Sequence, residues 1–334
     1  MMERLKRVHA NNLVKWAADK PNVLVLSADL TSSCEADLFR SAYPDRFFSM
    51  GIAEQNMIGF AGGLAREGFL PLVHTFAVFL YRRAYDQIAM SVAYPNLPVV
   101  LLGFLPGVYT PGGATHQAIE DIGVMRSLPN MTVLETGDAT EMESVLDVAL
   151  AVHGPVYIRM IRGEVPRLFD SPMKLGRARC LSHGGDLVLI TTGICTEEAL
   201  RASRVLKANG VGVEHFHLST IKPFHYPEIM EKIAASRYGV ITMENHSVIG
   251  GVGSYVAESM AEMGVGKRLI RIGFQDTFLH GASRRYLMHE YQIDAPALLS
   301  RVQELCGKKI AFRESDLEEA YLPPMHSDAK PEAL

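Results

Sequence analysis

Short β-rich runs alternate with longer amphipathic runs along almost the whole chain, and this alternation limits the fold more than any other feature. Residues 23–30 (V-L-V-L-S-A-D-L), 47–50, 70–76, 98–104, 131–135 and 156–160 read as strands. Between them, 53–66, 79–93, 117–127 and 139–152 read as helices, and Leu5, Val8, Leu13 and Trp16 fall at helical spacing within an opening helix over 3–20. A second series of strands covers 186–193, 211–218, 238–244 and 268–274. The pattern predicts an α/β protein, and strands this apolar predict parallel sheets covered on both faces. At 334 residues the chain exceeds one ordinary core, so two open parallel-type α/β domains are expected. The polar stretch after Arg162, with Pro166 and Pro172, is the expected linker. The expected division is a first domain over 1–165, a linker over 166–185, a second domain over 186–322 and a frayed tail over 323–334.

Composition removes several function classes. Charged residues make up 21% and the formal net charge is −4, which offers no basic surface for nucleic acid or a membrane. No apolar run approaches the roughly 20 residues needed to span a bilayer. The four cysteines (Cys34, Cys180, Cys195, Cys306) lie far apart without a CxxC, so they are expected as reduced thiols in a cytoplasmic protein. The first ten residues are charged throughout and lack the apolar core of a signal peptide. The 12 histidines show no zinc-protease spacing, and no metal site is expected within this chain.

One acidic residue stands out. In G-I-A-E-Q-N-M, residues 51–57, Glu54 falls where a strand gives way to a helix, beside Ile52, Met57 and Ile58. Ligands of parallel α/β sheets collect at the carboxyl ends of strands. A carboxylate in a first helical turn is also favoured by the helix dipole alone.

Several spaced motifs agree in order: S-A-D-L at Ser27, G-I-A-E-Q at Gly51, G-F-L-P at Gly68, T-F-x-x-F at Thr75 and A-Y-D-Q-I at Ala84. G-G-A-T-H-Q at Gly112, L-P-N-M at Leu128, G-P-V-Y-I-R at Gly154 and E-N-H-S-V-I-G-G-V-G-S at Glu244 follow. With F-x-x-G at Phe278 and Y-x-I at Tyr291, the chain resembles the pyrimidine-binding and carboxy-terminal domains of transketolase over roughly residues 7–292. The family's diphosphate and Mg²⁺ domain carries G-D-G followed by an Asn, and this chain has no G-D-G. The resemblance therefore implies the carboxy-terminal subunit of a split transketolase. A partner subunit would hold the diphosphate and Mg²⁺ of thiamine diphosphate, in an α2β2 assembly.

The resemblance also implies roles. Glu54 would hold the pyrimidine N1′ and promote loss of the thiazolium C2 proton. Phe76 and Phe79 would contact the aminopyrimidine, although two aromatics three apart at a helix start are often core. Asp29 would sit near the thiazolium; as a residue after a strand it also fits a plain turn carboxylate. His116 would contact the donor sugar's hydroxyl, or else cap a helix beginning at Gln117. Arg7, Ser33 and Arg162 would hold the substrate's terminal anion, since the arginine fork suits phosphate. His246 and His280 are expected in structural roles.

Two departures affect the substrate. Pro111 and Gly112 replace an acidic pair that binds a donor hydroxyl in the family, and Phe104 replaces a phosphate-contacting histidine. The pocket is therefore expected to be less polar and roomier, with an unusual ketose or terminal anion as donor. Two other readings share the fold: the β subunit of a 2-oxoacid dehydrogenase E1 component, and deoxyxylulose-phosphate synthase chemistry. A third is a non-catalytic subunit that only completes its partner.

Overall fold

A computed structural model describes residues 3–318; the expected tail over 323–334 lies outside the described residues. The first half supplies strands β1 (Arg4–Lys6), β2 (Val23–Ser27), β3 (Phe47–Ser49), β4 (Leu70–Phe76), β5 (Val100–Phe104), β6 (Thr132–Glu135) and β7 (Val156–Met160). Beyond it lie β8 (Glu164–Pro166), β9 (Arg179–Ser182), β10 (Leu187–Thr191), β11 (Val213–His217), β12 (Thr220–Lys222), β13 (Gly239–Ser247) and β14 (Arg268–Phe274). The larger sheet runs β12-β6-β7-β5-β4-β2-β3 and the smaller β14-β13-β10-β11-β9. Both are parallel except for one antiparallel edge strand each, β12 on β6 and β9 on β11.

Helices cover the sheets. In the first half they are α1 (Val8–Trp16), α2 (Asp37–Ala42), α3 (Glu54–Arg66), α4 (Ala77–Gln87), α5 (Asp121–Arg126) and α6 (Ala139–Leu150). In the second they are α7 (Cys195–Ala208), α8 (Pro227–Ala235), α9 (Val252–Glu262), α10 (Arg284–Glu290), α11 (Ala295–Cys306) and α12 (Glu314–Glu318). Every residue of β2, β4, β5 and β7 is buried. Strands sandwiched between two helix layers have no solvent face, which is why these runs are mostly apolar rather than alternating, with Ser27, His74, Thr75 and Arg159 as buried polar exceptions. α1 shows the complementary pattern: Val8, Ala10, Leu13 and Trp16 face inward. The Trp16 indole N–H then finds the Asp147 carboxylate on α6 at 2.7 Å.

α6 begins at an N-cap. Asp138 accepts from the Glu141 N–H at 2.8 Å, satisfying a donor the helix leaves open. The other Asp138 oxygen accepts from the Leu168 and Phe169 N–H groups, so the same side chain anchors the segment leaving β8.

Four segments differ from the sequence expectation. The opening helix over 3–20 is shorter, because Arg4–Lys6 pairs antiparallel with Glu164–Pro166 instead. The helix over 79–93 starts at Ala77 and passes at Ile88 into a π-helical turn, Ile88–Ala93. The helix expected from Gln117 begins only at Asp121. The stretch expected as linker contains the end of β8 and all of β9, and β9 extends the smaller sheet.

The two sheets are joined by a buried polar seam. Arg159, fully buried on β7, donates to Asp121 at 2.8 Å, to Glu135 at 2.5 Å and to the Asn245 carbonyl at 2.9 Å. Tyr157 adds a 2.6 Å bond to Asp121, and Thr192 a 2.6 Å bond to Glu135. Glu244 accepts from the Val252 and Gly253 N–H groups at the start of α9. Burial nonetheless pushes its carboxyl up to about 7. A Cβ on Gly251 would lie 2.0 Å from Glu244, so glycine is required for this approach.

Candidate active site

One edge of the larger sheet collects the candidate residues. β2 leads to Asp29 and Ser33, β3 to Glu54, β4 to Phe79, β5 to His116 and β7 to Arg162. These five strands are parallel to one another, so their carboxyl ends share one side of the sheet. That is where a parallel α/β fold places ligand-binding groups.

Glu54 opens α3 with 3% of its surface exposed. Its Oε1 accepts from Arg83 Nη1 at 2.8 Å, and the Arg83 side chain is 45% exposed. The Arg83 guanidinium lies 4.1 Å from the centre of the Phe79 ring. Phe79 stacks on Phe76 at 5.8 Å and meets the His116 ring edge-on at 5.3 Å. A continuous line of contact therefore runs Glu54–Arg83–Phe79–His116. The helix dipole accounts for an acid at the start of α3. It does not account for the aromatic and imidazole rings gathered beside that acid.

His116 does not cap a helix, since α5 begins five residues later. It sits in a loop, half-buried, with Nδ1 at 2.8 Å from the Thr115 hydroxyl. A Cβ on Gly112 would lie 2.8 Å from His116, so the glycine that replaces an acidic residue also permits the loop's packing. The second half of the chain abuts this loop, with Gln117 Nε2 at 3.4 Å from the His280 carbonyl.

Arg7, Ser33 and Arg162 form a second cluster on the same side. Arg162 donates to the Ser33 carbonyl at 2.8 Å. Arg7 Nη2 holds both Asp37 oxygens at 2.6 and 2.7 Å, which leaves its Nη1 and Nε outside that pair. Glu35 lies under the cluster and accepts from the Ala10 N–H at 3.2 Å. Burial pushes its carboxyl up, while N–H groups of Ala10 and Gly163 and the charges of Arg7 and Arg162 pull the other way. Asp29 is exposed in the turn after β2 with φ 59°, a conformation that aspartate adopts more readily than most residues. No described contact joins it to either cluster.

The room expected at Phe104 is not there. Its ring is fully buried against His9 and His74, at 5.4 and 6.1 Å. The two imidazoles meet at 3.0 Å, and burial holds both below the usual histidine range, His74 at about 4. His246 is fully buried beside Asp121 and the seam.

Sequence reasoning missed Arg83 and Glu35. Arg83 carried a usable signal, being one helical turn after Phe79 and therefore on the same face. Glu35 carried none. A cavity of about 610 Å³ lies elsewhere, lined by Phe169, Lys174, Arg177, Arg179 and Ser219. It shares no residue with either cluster and lacks their pairing of acid with aromatic rings, so the strand-end edge is the site that the chemistry selects.

Comparisons with known proteins identify the family. The family model for the transketolase pyrimidine-binding domain matches residues 5–167, and that for the transketolase C-terminal domain matches 176–298. A putative transketolase C-terminal section from Methanocaldococcus jannaschii is 37% identical over 311 residues, covering 91% of this chain and 97% of that one. The 6-deoxy-6-sulfo-D-fructose transketolase subunit SqwH of a Clostridium species is 35% identical, over 91% of this chain and 95% of its own. The 1-deoxy-D-xylulose-5-phosphate synthase of Chlorobium phaeovibrioides is 34% identical, and this chain spans 48% of its length. Among solved structures, a split-gene transketolase described as an inactive beta4 tetramer superposes with a TM-score of 0.83 at 36% identity, covering 90% of this chain and 97% of that one. The chain belongs to the transketolase family of thiamine diphosphate-dependent transferases, and carries that family's pyrimidine-binding and C-terminal domains.

Proposed function

We propose that this chain is the pyrimidine-binding subunit of a two-subunit transketolase, which moves a two-carbon ketol unit from a ketose to an aldehyde acceptor. The observation that carries the proposal is the line Glu54–Arg83–Phe79–His116 at the strand ends. A buried acid beside two stacked aromatic rings is the donor set an aminopyrimidine requires. When bound, thiamine diphosphate supplies the electron sink for carbon–carbon bond cleavage.

The chain's own residues divide the remaining work. Glu54 holds a proton at the pyrimidine ring nitrogen in place of its contact with Arg83. Phe76 and Phe79 orient the ring, each stacking contact worth about 0.5–1.5 kcal/mol beyond burial. Asp29 flanks the cofactor. His116 holds or moves a proton at the donor sugar's hydroxyl. Arg7, Ser33 and Arg162 bind the terminal anion of the donor, a phosphate or a sulfonate; the similarity to SqwH supports including the sulfonate.

The diphosphate and Mg²⁺ belong to an N-terminal partner subunit, in an α2β2 assembly in the cytoplasm. Ile52 and Phe278 support a covering partner. They are 73% and 68% exposed. Ile52 lies two residues before Glu54. Phe278 lies 6.0 Å from Arg82, which bonds the Ala114 carbonyl in the His116 loop. In this reading 1–165 forms the pyrimidine-binding domain, and the stretch 166–185 leads into the C-terminal domain, with β9 already a strand of the smaller sheet.

The test is to purify the chain with a partner subunit that carries G-D-G and to assay ketose and aldose pairs. Ketol transfer by the mixture, lost with Glu54→Ala, is the expected outcome. A second reading, favoured by the similarity to the synthase, predicts 1-deoxy-D-xylulose 5-phosphate as product instead. Unchanged transfer by the Ala variant would end both readings.

A further inference from the structure

Away from the strand-end site, the edge of the smaller sheet gathers three groups of different chemistry. Cys180 lies on β9, His183 just beyond it, and Glu214 on the neighbouring β11. The pairing of β9 with β11 shifts register between His215 and Phe216. Such a bulge re-aims side chains at a sheet edge. The Cys180 sulfur lies 3.5 Å from His183 Nδ1 and 4.0 Å from Glu214 Oε1, and His183 Nδ1 lies 3.2 Å from the same oxygen. One ligand atom from each falls within 4.8 Å of the others.

These spacings can be compared with a metal site. Tetrahedral zinc binds thiolate at about 2.3 Å and imidazole or carboxylate at about 2.0–2.2 Å, which separates sulfur from nitrogen or oxygen by about 3.6 Å and nitrogen from oxygen by about 3.4 Å. The three observed distances fall within a few tenths of an ångström of that triangle. We propose that Cys180, His183 and Glu214 form a surface zinc site with three protein ligands and a fourth position open to water.

Thiolate, imidazole and carboxylate together suit zinc rather than magnesium or calcium. The carboxylate is already oriented, because Glu214 Oε2 accepts from the Gly184 N–H at 2.9 Å. Outer contacts of this kind fix a metal ligand's direction. A cation is already drawn to the place: Lys232 Nζ, on α8, lies 3.2 Å from Glu214 Oε1. The Lys232 side chain is 52% exposed, so it can turn to water when a divalent ion arrives. Without metal, the Cys180 thiol donates to the Ser182 carbonyl. Binding forms a zinc–sulfur bond, breaks the S–H bond and releases that proton to solvent. The ion would tie β9, at the end of the segment leaving the larger sheet, to β11 and the Gly184 turn.

The experiment titrates the full-length chain, stripped of metal, with Co²⁺ and then with Zn²⁺ against a colorimetric chelator. The expected result is one ion per chain, with a thiolate-to-cobalt charge-transfer band. Cys180→Ser should abolish the band, and His183→Asn should weaken zinc by at least about 10-fold, the lower end of what losing even an outer contact costs a metal site. Lys232→Met should tighten binding by removing the competing ammonium. Cys180, His183 and Lys232 are all exposed, so the variants should melt with the parent chain. Cobalt bound without the charge-transfer band, or zinc held equally tightly by Cys180→Ser, would overturn the proposal.

Discussion

Glu54 and Glu141 are both buried carboxylates of the first half, and they are held in opposite ways. Glu141, fully buried on α6, accepts from the Gly137 N–H at 2.8 Å and from Arg179 at 3.1 Å. It also meets His217 at 3.1 Å and accepts from the Ser219 hydroxyl. Burial alone would raise its carboxyl, but the His217 charge and the bonds from His217, Ser219 and Gly137 outweigh it and hold it at about 2. Glu54 has one described partner, Arg83, whose side chain is nearly half exposed. A carboxylate enclosed by internal donors is scaffold. A carboxylate left with one displaceable cation, at the ligand-binding edge of a parallel sheet, is available to a ligand.

The largest effect should come from the enclosed seam. Arg159→Ala leaves Asp121 and Glu135 buried without their counter-ion, and should destabilise the chain by about 3–5 kcal/mol in urea unfolding. A cost below about 1 kcal/mol would mean that the seam does not hold the two sheets together.

His116→Ala removes the imidazole proposed to hold a proton, without touching the seam. With the partner present, turnover should fall by about 10²-fold, at the low end for general acid–base catalysis, while the unfolding midpoint stays within error. A matching loss of stability would move His116 to the scaffold side.

Acid should discriminate as well. The Glu141 carboxyl is depressed in the folded state, so its stabilisation is complete above the ordinary value of 4.5 and is lost as pH falls through about 2. Glu141→Gln should flatten the dependence of unfolding midpoint on pH in that window. An unchanged slope would show that other groups carry the acid sensitivity.

The smallest effect belongs to Arg83. As a partly exposed ion pair, its bond to Glu54 should contribute only about 0–1 kcal/mol, and Arg83→Met should shift the unfolding midpoint accordingly. A cost comparable to that of Arg159→Ala would make Glu54 a structural acid after all.

The sequence was most legible where structure is local. The strands at Leu70–Phe76 and Arg268–Phe274 were read to the residue, because short runs rich in branched and aromatic residues between amphipathic helical stretches have few other fates. Arg4–Lys6 was misread as helix because its strand partner, Glu164–Pro166, lies some 160 residues away and leaves no local mark. β12 was invisible for the same reason: three residues of the second half complete the edge of the first sheet. At the candidate site, Glu54, Phe79 and His116, singled out by motifs, are joined in space through Arg83. Arg83 was overlooked although its spacing from Phe79 was plain. Phe104 was misjudged because a sequence cannot show that His9 and His74 fill the space around it.

The most direct test of the account follows hydrogen–deuterium exchange at the thiamine C2 position in the assembled complex, comparing the parent chain with Glu54→Gln. Exchange should be rapid in the parent and slower by about 10²–10⁴-fold in the variant, at equal cofactor occupancy and an unchanged unfolding midpoint. Parent-like exchange in the variant would contradict it.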